Sequence, residues 1–330
     1  MTTLLAGDIG GTKTLLALYQ LQAGGELELL RSERYLSADW DGLAPMLATF
    51  LGAGQPPPAA ACLAVAGPVE AGQAQLTNLH WQLDGSQLAA ATGIGPFELV
   101  NDFAVLIYGL PHLTSQQQAP IRPGVARPEA PLLVLGAGTG LGVAYGVPTP
   151  TGLVAVASEA AHGEFAPRSQ QEWQLKQWLA RERGLERVSI ERVVSGTGLG
   201  EVARWLLQMR HPGGDHPLFP HAEGAELPAA VAASAALGES LACEALEIWI
   251  GCYGSVCGDL ALAGLSRGGV WLAGGTAGKL LESLRSPTFN QAFLNKGRLE
   301  PVLASMPITA VVDPAIGQFS AACRARMLLA

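Results

Sequence analysis

The chain has 330 residues, with 20 Lys plus Arg against 28 Asp plus Glu and a net charge of −8. That is length enough for about two domains and the wrong charge for a nucleic-acid surface, so no nucleic-acid partner is expected. Hydrophobic residues make up 49% and charged residues 15%, which provides a sizeable core and excludes a largely disordered chain. The 41 glycines exceed the roughly 7% of average usage and follow no collagen period, so tight turns and close backbone approaches account for them. Five cysteines, Cys62, Cys243, Cys252, Cys257 and Cys323, are irregularly spaced and form neither a disulfide framework nor a CxxC metal site. No basic leader precedes the first apolar run, and the longest apolar stretch, Leu241 to Leu265, is broken by Glu244, Glu247 and Asp259. A cytoplasmic protein without a membrane span is expected.

In chain order, Thr3 to Ala6, Thr14 to Gln22 and Glu26 to Tyr35 read as strands, the first two joined through Gly7 to Lys13 with no room for a helix. Asp41 to Leu51 has helical spacing, Gln55 to Pro58 breaks it, and Ala61 to Ala66 is a short buried-strand run. A helix at Gly85 to Ala91, a strand at Phe97 to Val100 and a helix from Asp102 to Gly109 complete a first α/β domain. Thr114 to Pro131, rich in Gln and Pro, is the candidate connection. Leu132 to Leu135, a glycine turn and Val143 to Val147 repeat the opening pattern, which suggests two related domains. Ser169 with Glu172 predicts a capped helix to Arg183, and Thr197 to Met209 a second. After the polar loop His211 to Pro228 come two helices between Ala229 and Gly264, a strand Val270 to Ala273 and helices to about Asn295. A strand Ile308 to Val312 and a last helix Ile316 to Leu328 follow. This alternation is the α/β signature.

Asp8-Ile9-Gly10-Gly11-Thr12-Lys13-Thr14 sits between two strands. Its glycines let backbone amides approach a phosphate while Asp8 offers a carboxylate to hydrated Mg²⁺; a plain hairpin turn explains it equally. Gly136-Ala137-Gly138-Thr139-Gly140-Leu141-Gly142 has glycine at every second position, so one face of the turn carries no side chains. It is neither a Walker A loop nor a Rossmann fingerprint. Gly274-Gly275 after an apolar strand suits a nucleoside or ordinary strand-to-helix punctuation. Asn101-Asp102 ends a strand: one of the two is expected to cap the helix, leaving the other to face a cleft as a general base. Glu159, His162 and Glu191 can bind sugar hydroxyls or be surface charge.

Together, DIGGTKT (8 to 14), TNLHW (77 to 81), NDF (101 to 103), GAGTGLGVA (136 to 144), SEAAH (158 to 162), ERVVSGTGL (191 to 199) and GGVWLAGG (268 to 275) resemble the bacterial glucokinase family, in the same order and over nearly the whole chain. The resemblance implies two related α/β domains of ribonuclease H-like, actin/hexokinase-type architecture with an interdomain cleft. The small domain would comprise residues 1–112 completed by 314–330, and the large one 113–313. It implies ATP-dependent phosphorylation of the glucose 6-hydroxyl, with ATP and Mg²⁺ as cofactors and a homodimeric enzyme feeding glycolysis. Residue by residue, Asp8 would meet Mg²⁺ through water, and Gly10, Gly11, Thr12, Lys13, Gly138, Thr139 and Gly140 would meet phosphates. Gly274 and Gly275 would line the adenosine. Asp102 would be the catalytic base, with Asn78, Asn101, Asp102, Glu159, His162 and Glu191 contacting the sugar.

The chain departs from the family pattern in reading SEAAH for GEGGH, Thr197 for a proline in SGPGL and His80 for a proline in TNLHW. The zinc-binding cysteine cluster of related repressor and open-reading-frame kinases is absent, so no structural zinc is expected. The alternatives are a kinase for another hexose or amino sugar such as N-acetylmannosamine, and a non-catalytic sugar-sensing protein. A repressor needs a DNA-binding domain for which there is no room before Asp8.

Overall fold

The computed structural model describes residues 2–76 and 79–329, and the chain forms two compact units. The first comprises Met1–Thr114, Thr149–Ala157 and Asp313–Ala330, the second Ser115–Pro148 and Ser158–Val312.

In the first unit, β1 (Thr2–Ile9), β2 (Lys13–Leu21) and β3 (Leu27–Leu36) make an antiparallel meander, and β4 (Ala60–Val65) follows. A small separate sheet holds β5 (Val69–Glu70), β6 (Gln73–Gln75) and β7 (Gln82–Asp84), and β8 (Phe97–Asn101) completes the main sheet in the order β3-β2-β1-β4-β8. The strands β1, β4 and β8 run parallel, with Ile9 beside Val65 and Val65 beside Asn101. All six residues of β4 are buried, as expected of a parallel strand covered on both faces. One cover is the helix Leu43–Leu51, whose Leu43, Met46, Leu47 and Phe50 fall at helical spacing and are all buried. Another is the last helix, Ile316–Met327, which packs against β1, β4 and the short helix Leu106–Gly109.

The helix expected from Asp102 begins only at Leu106. Asn101 Oδ1 accepts from the amides of Phe103 and Ala104, and the following turn closes with i→i+3 bonds at Leu106, Ile107 and Tyr108. Local capping thus competes with the α-helical ladder there.

The second unit repeats the plan. Its strands β9 (Gln118–Arg122), β10 (Leu132–Ala137), β11 (Leu141–Thr149), β13 (Gly269–Ala273) and β14 (Ile308–Val311) belong to a sheet of order β12-β11-β10-β13-β14-β9, whose β12 (Gly152–Ser158) falls, but for Ser158, among the residues of the first unit. β10, β13 and β14 are parallel, so meander followed by parallel strands is common to both sheets. The segment 114–131, expected as a plain connection, contains β9, which pairs antiparallel with β14. Pro120 hides it in the sequence and is tolerated because β9 is an edge strand. The helix Gln170–Glu182 is capped by Ser169, which accepts from Glu172 N. Glu172 does not close the expected box, since its carboxylate accepts from Arg168 N at 2.7 Å instead. Ser240–Ala263 is, among the described residues, the one helix long and apolar enough to cross a membrane, but 72% of its apolar window is buried inside the protein, as in a core helix. Its Trp249 and Tyr253 stack edge-on with centroids 5.2 Å apart, and Tyr253 does the same on Phe289.

The last helix is tied to the first sheet by one half-buried fork: Arg324 Nε donates to Glu98 Oε2 at 2.6 Å and its Nη2 to Oε1 at 3.1 Å. The guanidinium also lies 4.8 Å from the Tyr108 ring centroid. Charge-assisted bonds and a cation–π contact together predict that Arg324→Ala costs about 2 kcal/mol in denaturant unfolding of the first unit. Arg324→Lys should recover less than half of it, because an ammonium cannot form the fork.

Candidate functional site

The chemistry-bearing residues of the first unit gather at the carboxyl ends of β1 and β8, where open α/β sheets present ligand-binding groups. Asp8 lies within β1, opposite Leu15 of β2 and beside Ala64 of β4, so the turn proper is shorter than Gly7 to Lys13. Gly10 N donates to Lys13 O at 3.0 Å. From behind, Ser37 donates its amide to Thr12 O at 3.1 Å and its hydroxyl to Gly10 O at 2.8 Å. The buried Thr14 hydroxyl in turn bonds Ser37 Oγ at 3.1 Å. Gly10, Gly11, Thr12 and Lys13 are therefore held in place by Thr14, the last residue of the motif, and by Ser37, which no motif marks. Asp8 Oδ2 also lies against Gly317 in the first turn of the last helix, where a Cβ would come within 3.4 Å.

One of the pair Asn101 and Asp102 caps, as expected, and it is Asn101. Its Nδ2 donates to Gly67 O at 3.0 Å and Asp102 Oδ1 at 3.1 Å. Two donated and two accepted bonds use the whole amide. Asp102 Oδ1 also accepts from Phe103 N at 3.0 Å, so its carboxylate is anchored by two neighbours. Asn78 lies outside the described residues.

In the second unit, Gly138-Thr139-Gly140 closes with Gly138 N donating to Gly140 O at 2.8 Å. Three neighbours grip it. Gly196 N donates to Gly138 O at 2.7 Å, the Thr197 hydroxyl to Thr139 O at 2.8 Å, and Leu141 N to Glu191 Oε2 at 2.9 Å. A Cβ on residue 140 would sit 2.4 Å from that carboxylate oxygen, so only glycine lets Glu191 approach. Thr197, a departure from the family pattern, is thus a working contact. Glu159 and His162 flank a single turn, His162 Nε2 being 3.5 Å from Glu159 Oε2, and both are exposed. Their segment runs beside that of Glu191 through Ile190 N to Gly163 O at 2.8 Å and the bridge between Glu164 and Ser189.

Gly274, at φ +83°, lies over Ala137 with room for no side chain, and Gly275 opens the next helix. The Thr276 hydroxyl donates to Ala137 O at 2.7 Å. Gly275 and Thr276, with Gly138, Thr139 and Thr197 but without Gly274, border a cavity of about 750 Å³ within the second unit, a size that takes a nucleotide-scale ligand. Leu199, Leu227, Ala232 and Leu280 give it apolar walls, and Arg204, Glu223 and Lys279 are its charged lining. Sequence reasoning missed this lining, because it is assembled from three helices and a turn with no shared motif.

Burial pushes the Asp8 carboxyl above its ordinary value near 3.8, and Lys13 draws it partly back. The native state then holds that proton more readily than the unfolded chain, so stability falls as pH rises from 3.8 through the raised native value. At neutral pH the desolvated charge imposes its full cost. Asp8→Asn should therefore raise the apparent Tm at pH 7 by about 1–3 °C, with the gain shrinking toward pH 4; a lower Tm at pH 7 would contradict this assignment.

A family model described as Glucokinase matches residues 5–328. The glucokinase of Nostoc sp. is 38% identical over 99% of this chain and 100% of its own length. The crystal structure of a glucokinase from an Antarctic psychrotroph matches with a TM-score of 0.84 at 30% identity, covering 98% of this chain and 99% of that one. The ROK family glucokinase of Streptomyces griseus, in complex with glucose and AMPPNP, shares the fold at 18% identity and a TM-score of 0.65, covering 98% and 99% of the two chains. A family match over almost every residue, joined to a doubled sheet plan with glycine turns at its strand ends, places this chain in the glucokinase family.

Proposed function

We propose that the protein transfers the γ-phosphoryl group of ATP to the 6-hydroxyl of glucose, giving glucose 6-phosphate and ADP. The observation that carries this reading is the glycine turn Gly138-Thr139-Gly140, whose Gly138 and Thr139 border an apolar-walled cavity of nucleotide size. Backbone amides of the turn suit phosphate oxygens, and the apolar walls suit a base. Asp102 takes the proton of the 6-hydroxyl as its oxygen attacks the γ-phosphorus and the bond to the β–γ bridging oxygen breaks. Asn101, with its amide fully used, orients Asp102. Glu159, His162 and Glu191 accept or donate at the ring hydroxyls, and Gly10 to Lys13 meet phosphate from the first unit. The homodimer and the cytoplasmic setting belong to the same proposal.

Asp8 fits a Mg²⁺ ion held through water. A single carboxylate near the end of β1, beside the Gly10 to Lys13 turn, suits an ion that keeps most of its waters and binds substrate phosphates. When bound, Mg²⁺ would supply charge neutralisation on the phosphates.

The reading is tested by a coupled assay over glucose, galactose and N-acetylmannosamine with ATP, ADP or polyphosphate. Glucose with ATP should give the highest kcat/KM, because carboxylates and an imidazole matched to particular hydroxyls on binding reject sugars that leave them unpaired. Equal efficiency on N-acetylmannosamine would move the assignment to another sugar. Asp102→Asn should lower kcat by about 10² or more while KM for glucose stays within roughly tenfold. Retention of a few tenths of the turnover would remove Asp102 from the base role.

A further inference from the structure

The cavity of the second unit has one wall without regular structure. Residues 223–225 are turns between the helices Gly196–Arg210 and Leu227–Ala236, and Glu223, Gly224 and Ala225 all line the cavity. Such a segment is defined only by what grips it. Leu218 and Ala222 anchor it to the core, and two polar attachments fix its course.

On one side, Arg204 Nε donates to Ala222 O at 2.7 Å, the carbonyl just before the wall. Arg204 Nη1 is 2.9 Å from Glu201 Oε2, and Glu201 Oε1 accepts from Arg183 Nη2 at 2.7 Å. Glu201 is 7% and Arg204 9% exposed. On the other side, His216 Nδ1 accepts from Leu218 N at 3.2 Å. Its hydrogen is therefore on Nε2, which meets Glu239 Oε1 at 3.2 Å. Glu239 in turn caps the long helix through Leu241 N and Ala242 N.

A buried Arg–Glu–Arg chain contributes little net stability, since desolvation offsets the attraction and apolar replacements are often as stable. Its bond to one backbone carbonyl is specific in direction. We propose that Arg204, braced by Glu201, is a positioning residue for the phosphoryl donor: by fixing the Ala222 carbonyl it sets the 223–225 wall and hence donor affinity, with His216 holding the same segment from its other end. This rests on the cavity being the nucleotide site proposed above.

The double variant Glu201→Gln/Arg204→Met removes the charges together and leaves no buried carboxylate without its cation on that side. It should fold, with KM for ATP raised about tenfold and kcat and KM for glucose within about threefold. A merely structural role would lower Tm and leave KM for ATP where it was. Ala232→Trp, which fills the cavity, separates the two readings. If it raises KM for ATP while the folded double variant does not, the positioning role is overturned. If Ala232→Trp itself leaves KM for ATP unchanged, the nucleotide assignment of the cavity falls and this proposal falls with it. Should the double variant not fold, His216→Phe decides: a rise in KM for ATP of about threefold supports the proposal, and no rise overturns it.

Discussion

The hydrogen bond from Gly196 N to Gly138 O, at 2.7 Å, is the contact on which the glycine turn of the second unit depends. A turn with glycine at both ends has given up the side chains with which turns ordinarily hold themselves. Its shape must come from neighbours. Gly196 is held in turn because Ser195 caps its helix through Gly198 N at 2.9 Å and offers its carbonyl to Trp249 Nε1 at 2.9 Å. Trp249 is fully buried in the aromatic stack of the long helix. Each bond is worth about 1 kcal/mol net, but the geometry they impose is shared: a core indole fixes a cap, the cap fixes a helix, and the helix fixes the turn.

The first unit meets the same demand by other means. Its turn, Gly10 to Thr12, also has three residues, and Ser37 holds it with its amide on Thr12 O and its hydroxyl on Gly10 O, the Thr14 hydroxyl bonding Ser37 Oγ; both side chains are fully buried. Two sheets of one strand order have thus kept the glycine turn after the first strand and changed its fastening. In the second unit the fastening includes Glu191, a residue also suited to ring hydroxyls. A change at Glu191 therefore loosens the turn as well as altering whatever that carboxylate binds.

The strand plan was legible because the meander, the buried run of β4 and the doubled opening are strong local patterns. β9 and β12 were not legible. Pro120 lowers the strand signal of one, and the other is an exposed edge with little alternation of large apolar residues. The small sheet has strands of two and three residues, too short for any periodicity. Within the candidate site, the glycine turns and the acidic residues were visible as motifs, and the ordered set of motifs carried the family. Ser37, Thr276 and Arg204 were invisible, since each acts on a segment distant in sequence and belongs to a residue type that elsewhere is ordinary surface or cap. The division of roles between Asn101 and Asp102 needed the geometry, because both residues are good caps.

The last helix, Ile316–Met327, is also the last cover of the first sheet. During synthesis the strands β1 to β8 emerge roughly 200 residues before it, which at about 5–20 residues per second is a wait of some 10–40 s. Through that interval the apolar face of β1 and β4 lacks its cover, and Asp8 lacks the helix turn that lies against it. The intervening unit is nearly contiguous and can fold first. A nascent chain therefore carries a finished second unit and an unfinished first unit until the last helix emerges, so the window for misassembly and chaperone capture opens on the N-terminal segment and closes only when Ile316–Met327 docks.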